Sequence, residues 1–232
     1  MRILPASAVT LAFLLAVAPP VRLVEALQSS PPQSSTPPRS PAEVAARIQA
    51  RYDAVRDFSA EFVQSYEGGL LKQRSTERGT VVVKKPGRMR WTYTSPEQKL
   101  FVSDGQRTFY YVPEDRQVIV SKVPAEDQAT TAVLFLVGKG RLTRDFVVTS
   151  AEIAGSPPGT VAVRLDPKAT ERDYEWLALV VDQHTYALRM LVAGDGQGGR
   201  SSFTFSKLRE NTNPPDRNFT FDIPRGVAVV ER

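Results

Sequence analysis

The sequence predicts a mainly β protein with helical cover: one large, mostly antiparallel sheet of about ten or eleven strands, curled over an apolar interior and shielded by short helices. Three observations predict it. A hydrophobic period of two recurs from Phe58 to the end of the chain, turn-forming residues separate the runs, and only two segments read as helices. Long helical crossovers, which a parallel sheet demands, are missing from the pattern.

Ahead of the sheet the sequence reads as leader and tether. Arg2 precedes an apolar run, Val9 to Ala18, shorter than the roughly 20 residues of a membrane-spanning helix, so it is expected to be the core of a signal peptide. The pattern Val24-Glu25-Ala26 places cleavage after Ala26, giving a signal peptide over 1–26 and an exported product. Residues Leu27 to Pro41 hold ten Ser or Pro in fifteen positions. That stretch has too little apolar surface to offset the entropy of ordering, so a disordered Ser/Pro-rich tether is expected over 27–41 and a folded domain over 42–232.

The first helix is expected from about Pro41 to Asp57. Ser40-Pro41-Ala42-Glu43 is a capping-box spelling, and Val44, Ile48, Tyr52 and Val55 recur at helical spacing, with Arg47, Arg51 and Arg56 largely outside the apolar stripe. Strands follow. Phe58, Ala60 and Phe62 alternate with polar neighbours, as do Met89, Trp91 and Tyr93, then Phe203 and Phe205, then Phe219, Phe221 and Ile223. Each reads as a strand with one dry and one wet face. Turns are expected at Lys85-Pro86-Gly87, Ser95-Pro96, Asp104-Gly105, Pro113-Glu114-Asp115, Asp182-Gln183-His184 and the Gly-rich 194–199 segment. A second helix is expected after Pro124-Ala125-Glu126-Asp127, where Ala132 to Val137 is apolar on every side before Gly138. It is either an ordinary core helix or a lid over a curved sheet.

Composition narrows the chemistry. The 232 residues are 41% hydrophobic and 24% charged, with no cysteine and one histidine. Thiolate zinc sites, iron–sulfur clusters, thiol nucleophiles and His-based triads are therefore not expected, and neither a cofactor nor a metal is called for. The formal charge of +5 becomes +4 once Arg2, Arg22 and Glu25 leave with the leader, a mild surface charge that does not predict a nucleic-acid partner. Glu114-Asp115 and Glu126-Asp127 are adjacent carboxylates that point apart at turns or helix starts, and His184 sits in a hairpin turn, so none is read as catalytic. Gly138-Lys139-Gly140 lacks the rest of a phosphate loop, and the sequon Asn218-Phe219-Thr220 falls inside an expected strand. Lys84, Lys85, Arg88 and Arg90 form the densest basic cluster. Twenty aromatic residues and two short helices for one broad sheet favour an apolar pocket over a barrel filled by its own side chains.

In order and spacing, Phe58-Ser-Ala-Glu-Phe62-Val-Gln64, Val83-Lys-Lys85-Pro86-Gly-Arg-Met-Arg90-Trp91, Val102-Ser103-Asp104-Gly105 with Phe109 to Tyr111, the apolar second helix, and the closing Phe219 to Val227 resemble the periplasmic outer-membrane lipoprotein carrier family, LolA. The likeness spans nearly all of 42–232. It implies an unclosed antiparallel β-barrel whose apolar cavity is covered by helices, a non-enzymatic role as a periplasmic chaperone for lipoprotein acyl chains, and a monomer. It implies an inner-membrane ABC transporter for loading and, in many species, an outer-membrane receptor lipoprotein for unloading. Phe62, Met89, Trp91, Tyr93, Phe203, Phe205 and Phe219 are the expected cavity residues, and Val133, Leu134, Phe135 and Leu136 the expected lid. The residue before the proline, usually an arginine that closes the lid, is Lys85 here, a point donor without the planar fork. An exported glycolipid-binding or stress-sensing module of the same architecture, and a hydrolase using one carboxylate pair, are the competing readings.

Overall fold

Helix α1 (Pro41–Ala54) begins where its cap is spelled: Ser40 Oγ accepts the Glu43 N–H at 3.2 Å, with Pro41 in the first turn. A computed structural model describes residues 40–68, 73–123, 140–171 and 174–231, all within one compact unit, Pro38–Arg232. The expected leader, most of the tether and the expected second helix, including Val133 to Leu136, lie outside the described residues.

Twelve strands form one sheet among the described residues, where ten or eleven were expected. Six precede the short helix α2 (Leu142–Asp145): β1 (Asp57–Gly68), β2 (Gln73–Lys84), β3 (Arg88–Ser95), β4 (Lys99–Asp104), β5 (Arg107–Val112) and β6 (Gln117–Lys122). Six follow it: β7 (Phe146–Ala151), β8 (Thr160–Pro167), β9 (Trp176–Asp182), β10 (Leu188–Gly194), β11 (Arg200–Glu210) and β12 (Ala228–Glu231). The order is β12-β6-β5-β4-β3-β2-β1-β11-β10-β9-β8-β7, so β1 joins two meanders through antiparallel pairing with β2 and β11. β12 is the exception, lying parallel to β6. Strand β7 forms the opposite edge, and among the described residues β12 and β7 are not paired, so the sheet stays unclosed.

Register defines two faces. Phe62 opposite Phe205, Ala60 opposite Val81, Val81 opposite Trp91, and Trp91 opposite Phe101 run along the inner face. Helix α1 lies there, burying Val44, Ala45 and Ile48 against Val163, Leu177, Leu179 and Val181. The outer face carries Arg90 opposite Val102 and Val102 opposite Phe109.

Three expectations are corrected. The helix ends at Ala54, not Asp57, because the buried Asp57 already belongs to β1 and its carboxylate accepts the N–H groups of Thr212 and Asn213 at 2.7 and 3.2 Å. Phe219 to Ile223 is no strand: a 3-10 turn (Asp216–Phe219) leads into extended chain. Its alternation is real, but side chains hold this backbone. The Arg90 guanidinium donates to the carbonyls of Asn218 and Thr220 at 3.3 Å each, and Asp216 pairs with Lys84 and Arg88 at 2.7 Å. The sequon at Asn218 therefore sits in a turn. Finally, the outer face is dry at both flanks, where Phe221 and Val227 cover Val102, Phe109 and Val118, and Ile153 and Trp176 cover Ala178, Val180 and Val192. Strand β9 is accordingly buried continuously from Leu177 to Val181, as a strand covered on both faces should be.

Close packing in β2 depends on a glycine. A Cβ on Gly79 would stand 2.0 Å from the Thr92 carbonyl oxygen and 2.9 Å from Phe62 Cζ. Gly79→Ala should therefore cost about 2 kcal/mol or more, measured by urea unfolding, while Gly196→Ala, with nothing within 4 Å, should be close to neutral; equal effects would refute the close approach.

Candidate functional site

Phe62 is the hub of the inner face. Its ring meets Trp91 at 5.1 Å and Tyr93 at 5.0 Å in edge-to-face geometry, and Trp91 meets Phe203 at 5.5 Å and Phe205 at 6.4 Å. Such pairs stabilise beyond their area by about 0.5–1.5 kcal/mol each. Met89 joins the same cluster with Val81 and Val83. Six of the seven expected cavity residues are thus gathered. Phe219 stands apart: its turn is tied to Arg90 and Lys84, on the opposite side of β2 and β3 from Val83, Met89 and Trp91.

Next to this cluster a narrow cleft runs between α1 and the sheet, with about 470 Å³ of unfilled space counting the part open to solvent. Ile48 and Tyr52 from α1, with Val55 just past its end, face Phe58, Leu188 and Phe205 across it. Two polar contacts stand at the C-terminal end of α1. Lys85 Nζ donates to the Tyr52 carbonyl and lies 3.7 Å from the centre of the Tyr52 ring. Burial lowers the pKa of Lys85, partly offset by Asp53, and raises that of the Tyr52 phenol. Lys85 is therefore a tie to the first helix; its expected contact with the second lies outside the described residues. Arg51, read from the sequence as outside the apolar stripe, lines the cleft instead and pairs with Glu210.

Sequence reasoning missed Glu210 and Leu208 as lining residues. An extra residue in β11 at Lys207 (φ 52°) shifts the register between Ser59–Arg209 and Glu61–Ser206 and turns both inward. Neither glycine nor proline marks the bulge. Further along the inner face, Tyr93 donates to Gln64 Oε1 at 3.0 Å, next to the ion pair of Lys99 with Glu77.

The remaining candidates form no centre with these groups. Glu114 and Asp115 are exposed at a turn, and His184 is exposed in the β9–β10 turn, where the N–H and hydroxyl of Thr185, then the His184 N–H, hold the Asp182 carboxyl down at about 2. Glu126 and Asp127 lie outside the described residues. Among the described residues no group of three His, Asp or Glu is placed to hold a metal ion.

The profile of the family described as "Outer membrane lipoprotein carrier protein LolA" matches residues 53–222. The chain belongs to the LolA family. That match takes in β1 to β11 and every described residue of the aromatic cluster. Among LolA-family relatives, an "Outer-membrane lipoprotein carrier protein" of Chromohalobacter salexigens is 28% identical over 80% of this chain and 86% of its own. One from Dechloromonas aromatica is 30% identical over 75% and 81%. An uncharacterized conserved protein of Thermus thermophilus shares the fold, with a TM-score of 0.51 at 13% identity over 82% of this chain and 98% of that one.

Burial, then Glu77 and Tyr110, push the Tyr93 phenol from 10.0 up to about 12. The folded protein holds that proton more tightly than the unfolded chain, so the contribution is complete below pH 10 and is lost as pH rises to 12. Urea unfolding across that window should show Tyr93→Phe losing less stability than the parent chain; parallel curves would place the phenol in water.

Proposed function

We propose that this protein takes up the acyl chains of lipoproteins released from the inner membrane and carries them through the periplasm to the outer membrane. One observation carries the reading: an apolar inner face, centred on Phe62 and Trp91, is continuous through Phe205 with a cleft that α1 covers. Binding there requires no covalent step. Each buried methylene contributes about 0.8 kcal/mol, so even part of an acyl chain supplies enough to keep a lipid-anchored protein out of the bilayer.

Because the cleft is narrow, an acyl chain enters as α1 lifts from the sheet. Lifting breaks the Lys85–Tyr52 and Arg51–Glu210 contacts and exposes Ile48 and Val55, and the incoming chain covers that apolar surface again. The closed and loaded states then differ by a few kcal/mol, the range in which a partner shifts the balance. In this reading an inner-membrane ABC transporter loads the monomeric carrier, an outer-membrane receptor lipoprotein unloads it where one exists, and Val133 to Leu136 add to the cover.

The two tryptophans make the test direct, since Trp91 lies on the inner face and Trp176 on the outer. In a Trp176→Phe background, a triacylated cysteinyl lipopeptide should shift Trp91 emission saturably; a flat response from a folded protein would refute the carrier reading. Phe135→Asp should weaken the same titration about tenfold or more without altering the thermal transition, and unchanged affinity would remove residues 133–136 from the cover.

A further inference from the structure

Arg51 is held in only part of its donor capacity. A guanidinium carries five N–H donors. One Nη of Arg51 meets Glu210, whereas its Nε is buried and has no hydrogen-bond partner among the described residues. Buried donors in folded proteins are paired, so an unpaired one calls for an explanation. This one belongs to a residue lining the cleft, on walls made by Tyr52, Phe58, Leu188 and Phe205.

The chemistry of what fits is constrained by Glu210. Its carboxylate already balances the Arg51 charge, so an arriving anion would gain no net attraction and would face a like charge at short range. A neutral acceptor meets no such repulsion. The bulge at Lys207 that turns Glu210 inward thus converts a cationic lip into an electroneutral one with a spare donor. Lys85 is not among the residues lining the cleft: its ammonium donates to the Tyr52 carbonyl and lies over the Tyr52 ring.

We infer that Arg51 and Glu210 form a neutral hydrogen-bonding lip at which Arg51 receives an ester carbonyl of a diacylglyceryl group while Glu210 disfavours lipids carrying an anionic phosphate. The inference rests on the carrier reading and adds to it a basis for choosing the acylated glycerol of a lipoprotein over the phospholipid around it.

The test uses the full chain after export, with Trp176→Phe for readout and three probes: a triacylated cysteinyl lipopeptide, its ether-linked analogue without the glyceryl ester carbonyls, and phosphatidylglycerol below its critical micelle concentration. The parent protein should prefer ester to ether about fivefold or more. Arg51→Met, which keeps the aliphatic stem, should abolish that preference. Loosening of α1 alone would weaken both probes equally and leave the ratio intact, which would overturn the donor role. Glu210→Gln should raise the affinity for phosphatidylglycerol relative to lipopeptide by about fivefold or more; an unmoved ratio overturns the charge filter. Lipopeptide binding with neither ratio affected leaves the carrier reading standing and this inference refuted, whereas no lipopeptide binding by the parent protein refutes both.

Discussion

A twelve-stranded sheet that does not close on itself has an inner face wider than one helix can seal, and the rest of the architecture follows from how that face is kept from water. Along its first turns α1 sits on Val163, Leu179 and Val181 through Val44, Ala45 and Ile48, contacts without direction. At its C-terminal end the helix is tied by polar groups: Lys85 from the β2–β3 turn, Glu210 from β11, and Arg141 to Asp53 at 2.7 Å. Polar ties are geometry-dependent, so the end of α1 beside the cleft is placed by direction as well as by apolar burial.

The aromatic cluster answers a different demand. Phe62, Trp91, Phe203 and Phe205 pack edge to face or tilted at 5.1 to 6.4 Å, stiff rings on a continuous sheet, with the unbranched Met89 beside them. Rings anchored on β1, β3 and β11 have few conformations of their own, so this part of the inner face is stiffer than one built of aliphatic tails.

Much of this was legible in the sequence, because the inner face obeys local rules. Period-two alternation marked Phe58 to Phe62, Met89 to Tyr93 and Phe203 to Phe205, and the structure puts these runs in β1, β3 and β11 of one apolar cluster. Illegible features share one physical origin: they depend on what lies against the backbone. Phe219 and Phe221 alternate like a strand, yet Arg90, distant in sequence, takes up the carbonyls that a strand partner would have taken. Leu208 and Glu210 face inward through a bulge at Lys207 that no residue type announces. Arg51 falls off the helical stripe by spacing, and only the presence of Glu210 across the cleft makes its position favourable.

The pairing of β1 with β11 sets Phe58 opposite Glu210, residues separated by most of the folded chain. Each meander can form from neighbouring hairpins as soon as its own strands exist, but the seam between them cannot close until β11 has been delivered, and loop-closure entropy makes such a distant pairing slow. Until then Phe62 and Trp91 face water on half a sheet. A chain that folds from its N-terminus therefore passes through a stage in which this apolar surface is uncovered and open to association with other chains.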